Sequence, residues 1–338
     1  MRLAVYCDYS YRRDGDELWA ELSVVRFIAR LARSFDAVTL LGRLEPEPGR
    51  WAYLVPSEVD FVPLADYPSL ARPGAAAGAF AASARRFWRA LGAVDVVWLL
   101  GPHPLAMVFA VLARVRGRHV VLGVRQDLPA YVRNRHPDRP FLQLAAVVLE
   151  AGWRLLSLTC PVVVVGPDLA RRYRRAPRRL SIAISVVPEA DIMERQHFEA
   201  KRYDGELRVL SVGRLEAEKN PMLMAEVMAE LNRDGRAWRL TVCGDGPLQD
   251  DLRMRIADLG LSDRVDLLGF VSLDEGLLDL YRSSHLFLHC SWTEGMPQVL
   301  LEAFAARLPV IATAVGGVPD AAAGAAELVP PGDARAAA

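Results

Sequence analysis

Short apolar blocks alternate along the chain with longer amphipathic stretches. Blocks at residues 2–7, 37–41, 59–64, 95–100, 118–124 and 162–165 are rich in valine and leucine. Such runs predict strands buried on both faces, as in a parallel sheet. Residues 17–34, 75–91, 105–116 and 140–158 place apolar side chains at helical spacing and predict helices. A polar loop over 8–16, containing Gly15, joins the first strand to the first helix. The repeated βα pattern implies a parallel sheet with its ligands at the carboxyl ends of the strands. Residues 185–188 close this first domain, and 189–206 are polar, charged and weakly periodic, which marks a linker. Alternation restarts at 208–213 and continues through a helix at 248–259, strands at 265–270 and 286–290, a helix at 298–307 and a strand at 310–313. The expected architecture is α/β, with Rossmann-like domains at 1–188 and 207–338 joined by a linker at 189–206.

Composition narrows the function classes. With 338 residues, 52% hydrophobic and 24% charged, the chain can bury two proper cores. A formal net charge of zero argues against nucleic acid as the main partner. The four cysteines, Cys7, Cys160, Cys243 and Cys290, form no CxxC pair and have no histidine at zinc-ligand spacing. They suggest packed thiols in a reduced compartment. The first residues lack a signal peptide's basic start and long apolar core, and 141–165 is broken by Glu150, Arg154 and Pro161. A cytoplasmic protein is expected.

Candidate chemistry concentrates in 286–320. Glu294 lies in the loop feeding the 298–307 helix, Pro297 is expected at the helix's first position, and Glu302 falls about one turn inside. Such an entrance offers backbone N–H groups and the positive dipole end to a phosphate. Pro297 to Glu302 spans roughly 7–8 Å, so two carboxylates can flank one extended ligand. Carboxylates accept hydrogen bonds from sugar hydroxyls. The combination suits a nucleotide-diphosphate sugar; the alternative is a crossover helix with one capping and one solvated glutamate.

Three motifs together resemble a known family. Glu294-Gly-Met-Pro through Glu302-Ala, followed by Pro309-Val-Ile-Ala-Thr and Gly316-Gly317-Val-Pro-Asp320, is similar to the E-x7-E signature of retaining GT-B glycosyltransferases of the family 4 group. Val212-Gly-Arg214-Leu-Glu-Ala-Glu218-Lys219-Asn220-Pro resembles its second signature, and Gly244-Asp245-Gly246-Pro247 also fits. The resemblance implies two Rossmann-like domains facing each other across a cleft, and hexose transfer from a nucleotide-diphosphate sugar with no metal or other cofactor. It assigns Glu294 to hydroxyls of the transferred sugar and Glu302 to the ribose. Arg214 and Lys219 are assigned to the departing diphosphate. The backbone through Gly295, Met296, Gln298, Val299 and Leu300 would cradle sugar and phosphate, and Val271 would lie at the base. The chain departs from the family in four places: Gly15 stands alone in a loop that usually carries a glycine pair, Asp320 stands where glutamate is common, no histidine stands near Arg125, and the domain is short after Asp333.

Other positions carry two readings each. Gly15 is a donor-site candidate, while Asp14 and Asp16 either approach a ligand or cap a helix. His103 relays a proton near the acceptor or merely satisfies its loop. Arg125 orients an acceptor hydroxyl or pairs with Asp127. Arg85-Arg86-Phe87-Trp88-Arg89 and Arg171-Arg172-Tyr173-Arg174-Arg175 touch anionic headgroups or form solvated faces. Lipid-linked and saccharide acceptors, with peripheral contact at a membrane, both fit. A weakly active sugar-nucleotide-binding subunit is the alternative function, and the absence of a complete GxGxxG counts against an NAD-dependent oxidoreductase.

Overall fold

The computed structural model describes residues 1–68, 73–183 and 187–338. They form two compact units, Met1–Pro129 with Leu144–Val186, and Ala130–Gln143 with Val187–Ala338. The predicted domain end at 185–188 begins outside the described residues.

The first sheet and its helices run, in chain order, β1 (Arg2–Asp14), β2 (Glu17–Ala20), α1 (Val24–Ala32), β3 (Ala37–Leu44), β4 (Tyr53–Leu54), β5 (Val59–Leu64), α2 (Pro73–Ala90), β6 (Val96–Gly101), α3 (Pro104–Val115), β7 (His119–Val124), α4 (Leu128–Arg135), α5 (Pro140–Ser157), β8 (Val162–Val165), α6 (Pro167–Arg172) and β9 (Arg179–Ile182). Its parallel part has the order β5-β3-β1-β6-β7-β8-β9. Period-two alternation along β1 shows why its apolar run is unbroken. Leu3, Val5 and Cys7 pack on one face with Ile28 of α1, while Ala4 and Tyr6 pack on the other with Phe87, Phe109, Trp153 and Leu169 from α2, α3, α5 and α6.

The start of the chain departs from expectation. The predicted loop over 8–16 is strand as far as Asp14, with a register shift between Tyr6 and Ser10. Gly15 is the positive-φ turn of a hairpin whose return arm, β2, occupies the start of the predicted 17–34 helix. The N-cap position of α1 is Ser23, so neither Asp14 nor Asp16 caps a helix. The polar residues suggested a loop, yet Tyr11 is fully buried and still paired within the sheet, with Leu44 of β3 and Ala20 of β2. Leu18, Ala20 and Leu22 fit both helical and strand periods, and pairing with β1 decided between them.

The second unit contains α7 (Arg195–Glu199), β10 (Leu207–Val212), α8 (Pro221–Leu231), β11 (Trp238–Cys243), α9 (Gln249–Asp258), β12 (Val265–Gly269), α10 (Leu277–Ser283), β13 (Leu286–His289), α11 (Gln298–Ala305), β14 (Val310–Thr313), α12 (Val318–Ala322), β15 (Glu327–Val329) and α13 (Ala334–Ala337). Its sheet is parallel throughout, ordered β12-β11-β10-β13-β14-β15. Strand order reverses direction between β10 and β13, so a crevice opens beyond their carboxyl ends. Within 189–206, Met193 is tied to this unit, its N–H donating to Ala305 O (2.8 Å) and its carbonyl accepting from Arg307 Nε (2.6 Å). All four cysteines are free and buried. Among the described residues no helix is long and apolar enough to cross a membrane.

Candidate active site

Two loops meet at the reversal point of the second sheet. One leaves β10 and carries Arg214 and Lys219; the other leaves β13 and carries Glu294. The first is shaped by Asn220, which takes the left-handed conformation (φ 48°) that asparagine tolerates and leads into Pro221 at the start of α8. The loops are joined backbone to backbone, Trp292 N–H donating to Glu218 O at 2.8 Å.

The Glu294 side chain is only 7% exposed, and three donors converge on its Oε1: Lys219 Nζ at 2.5 Å, Ser291 Oγ at 2.6 Å and His289 Nε2 at 3.0 Å. None of the three engages Oε2. Burial by itself would raise this carboxyl's pKa, but the Lys219 charge and the His289 hydrogen bond outweigh it and hold the pKa far below the usual carboxylate range. Glu294 is therefore an ionised, oriented acceptor with one oxygen fixed by the protein. The buried Nδ1 of His289 has no partner.

Glycines allow this loop to sit deep in the site. A Cβ on Gly316 would lie 2.0 Å from Glu294 O, and one on Gly317 would lie 1.8 Å from Gly295 O. The turn after β14 thus packs directly on the Glu294–Gly295 backbone. Pro297 is the extended N-cap of α11, one position earlier than expected, and no side chain caps the helix. Met296, Gln298 and Val299 are half-buried along this entrance and Leu300 is buried. Glu302 is also buried, its Oε2 accepting from Tyr281 Oη at 2.9 Å. Val271 is half-buried after the Gly269–Phe270 corner, where Phe270 N–H donates to Asp245 Oδ2 at 3.0 Å.

Arg214 is about half exposed and bridges two carboxylates, Glu216 Oε2 at 2.7 Å and Glu218 Oε1 at 3.0 Å. Arg135, at the end of α4, grips Glu216 with both terminal nitrogens, at 2.7 and 3.1 Å. Sequence reasoning had not singled out this four-membered ion network, nor His289, Ser291 and Tyr281. His289 was the most accessible of these in the sequence, a histidine at the carboxyl end of a buried strand.

In the first unit the reversal point lies between β1 and β6, and His103 stands there. Its Nδ1 accepts from Leu105 N–H (3.3 Å) and lies 3.0 Å from Tyr6 Oη, while Nε2 lies 3.2 Å from Asp8 Oδ2. Asp8 Oδ2 also accepts from Tyr67 Oη at 2.7 Å. Burial pulls the His103 pKa down, against the opposing pull of Asp8. The imidazole is therefore neutral at pH 7, with Nε2 carrying the proton. Arg125 hydrogen-bonds Tyr9 and stacks over its ring at 4.8 Å, and Asp127 is held by Arg172 at 2.7 Å. Gly15 is on its hairpin turn, with open space where a Cβ would stand. Among the described residues no group of three or more His, Cys, Asp or Glu could hold a metal ion.

Known proteins are similar to parts of this chain. Residues 192–338 match the family described as glycosyl transferases group 1. Alpha-D-kanosaminyltransferase of Streptomyces kanamyceticus is 35% identical over 245 residues, 69% of this chain and 62% of that protein. The phosphatidylinositol N-acetylglucosaminyltransferase gpi3 subunit of Schizosaccharomyces pombe is 35% identical over 138 residues, 40% of this chain and 30% of that protein. The chain thus spans less than two thirds of these curated relatives. Among solved structures, WaaG, a glycosyltransferase of lipopolysaccharide biosynthesis, aligns with a TM-score of 0.70 at 18% identity, covering 97% of this chain and 86% of that one. Anabaena Alr3699/HepE in complex with UDP aligns with a TM-score of 0.67 at 18% identity, covering 99% and 87%. The two-sheet α/β fold is that of the GT-B glycosyltransferases.

Proposed function

We propose that this protein is a retaining glycosyltransferase that moves a hexose from a nucleotide-diphosphate sugar to an acceptor hydroxyl. One observation carries the reading: an ionised Glu294, fixed through Oε1 by Lys219, Ser291 and His289, stands at the reversal point of a parallel sheet, on a loop tied through Trp292 N–H to the loop that carries Arg214. Oε2 then accepts from hydroxyls of the transferred sugar. The entrance of α11, from Gly295 through Met296, Gln298, Val299 and Leu300, cradles sugar and phosphate. Glu302 serves the ribose and Val271 the base. As the sugar–oxygen bond breaks, negative charge gathers on the leaving diphosphate, where the fixed cations Arg214 and Lys219 stabilise it most. The acceptor proton passes to that phosphate, so the scheme needs no metal.

On the acceptor side the reading uses His103, Arg125 and Asp127. The relatives' names support sugar transfer, one of them to phosphatidylinositol, which keeps both lipid-linked and saccharide acceptors in view. A UDP complex of a protein with the same fold supports a nucleotide donor. One feature favours a second reading, a sugar-nucleotide-binding subunit of weak activity. Arg214 is already paired with Glu216 and Glu218, which offset part of the charge it brings to a diphosphate.

Thermal unfolding with UDP, GDP, ADP and NAD tests the donor site. A ligand at 100 times its Kd stabilises a one-site protein by ~2.7 kcal/mol, a shift of a few degrees. One nucleoside diphosphate should raise the Tm of the wild type and do so less for Glu302→Ala. Stabilisation by NAD alone, or by none of the four, rejects the reading. Binding without sugar transfer to any acceptor class points to the subunit.

A further inference from the structure

The helices α2, α3, α5 and α6 share one core over one face of the first sheet, and their outward side plays no part in the chemistry above. On α3, Val108, Val111 and Val115 point outward, Val115 being 71% exposed. On α5, Leu144, Val148 and Leu155 do the same, each more than 60% exposed. Between Leu144 and Leu155 the sole exposed polar side chain is Arg154. The two helices are neighbours. The Met107 side chain lies 3.0 Å from where a Cβ on Gly152 would stand, and Arg114 reaches Thr159 and Cys160. A helix on the surface of a soluble domain normally turns charged residues outward; one that is apolar all round is covered or lies in lipid.

Basic residues border this stripe on both sides. Arg85 and Arg89 are exposed on α2, and Arg171, Arg174, Arg175 and Arg178 follow on α6 and the turn after it. Acidic residues are nearly absent. Residues 96–126 contain none, and 144–183 contain two: Glu150, buried against Tyr173 Oη at 2.7 Å, and Asp168, which pairs with Arg171. Among the described residues Arg174, Arg175 and Arg178 make no ion pair.

We propose that this helical layer docks on an anionic phospholipid bilayer, the aliphatic stripe entering the headgroup–acyl boundary and the flanking arginines meeting lipid phosphates. Two observations favour lipid over protein. Apart from Phe141 at the start of α5 the stripe is aliphatic, and it lacks the tyrosine and tryptophan anchors that dominate protein interface cores. A second copy of this chain would bring the same unpaired arginines against their like. The inference does not rest on sugar transfer, and its test uses neither nucleotide nor acceptor.

The test is co-sedimentation of the chain with phosphatidylcholine vesicles, with and without phosphatidylglycerol. The expected result is binding to the anionic vesicles that weakens with salt, each exposed arginine contributing roughly fivefold. Arg174→Ala with Arg178→Ala should therefore lower the partition coefficient by a factor of roughly twenty-five. Val148→Asp with Leu155→Asp should abolish binding. All four positions are exposed, so both variants should keep the wild-type Tm, and the arginine variant stands alone if the aspartate variant misfolds. No sedimentation with anionic vesicles, or binding that both variants retain, overturns the proposal. So does a concentration-dependent dimer that the aspartate variant dissolves, which would give the face to a second copy.

Discussion

At the scale of single residues, Glu294 is a carboxyl whose ionisation is tied to the fold. Its folded pKa lies well below the ordinary value near 4.5. A depressed acid contributes stability above its unfolded pKa and loses that contribution as pH falls through 4.5 toward the folded value. The wild type should therefore lose stability steeply below about pH 4.5. Glu294→Gln should be less stable by about 3 kcal/mol at pH 7, the low end for a broken buried pair because Lys219 is 23% exposed. Its melting curve should approach that of the wild type as the pH is lowered. Parallel Tm-versus-pH profiles for the two proteins would show that the Lys219–Glu294 pair does not form. Glu294 and Lys219 were both legible in the sequence as candidates. Their direct contact was not, because loops leaving two different strands supply them.

Among secondary-structure elements, β10, β12, β13 and β14 of the second sheet and the helix entered at Gln298 fall close to where the hydrophobic pattern placed them, whereas β11 and β15 had not been expected. Runs apolar on both faces, and stripes at helical period, are local signals. The Asp8–Ala20 hairpin defeated that logic, since residues compatible with either period were settled by pairing with the first sheet. Tight contacts between elements also leave only a faint trace in the sequence. Gly316 and Gly317 stood out in the sequence as part of a motif, and the structure shows them pressed on the Glu294–Gly295 backbone. Gly316→Ala adds a Cβ 2.0 Å from Glu294 O at a residue with φ 50°. It should cost about 2 kcal/mol or more, read as a fall in Tm. If the loop carries the donor site, nucleoside diphosphate stabilisation should fall as well. A Gly316→Ala protein with unchanged Tm would mean the two loops are not in contact.

For the whole molecule, compactness does not follow chain order. Ala130–Gln143 lies between β7 and β8 in sequence yet groups with the second unit, and Arg135 supplies the countercharge to Glu216 from 81 residues away. Arg135→Ala should cost about 1–2 kcal/mol, since the guanidinium is 36% exposed and only part of a buried-pair penalty applies. Hydrogen exchange should locate the loss in the loop from Gly213 to Asn220, leaving β1, β6 and β7 protected as before. Equal loss of protection in both sheets would contradict this assignment of the segment.

By itself the sequence determined the alternation of strand and helix, the division into two α/β halves, a neutral overall charge and a carboxylate pair around a helix entrance. Those features rest on periodicity, composition and spacing, each of which acts within a few residues. Tertiary structure alone decided that Lys219 meets Glu294 across 75 residues, that His289 and Ser291 fix the same oxygen, and that Tyr281 takes Glu302. It also decided that two apolar helix faces lie side by side between arginines. Parallel strand order creates such contacts by bringing distant loops to one sheet edge, and side chains that meet only there need no pattern in their own neighbourhood.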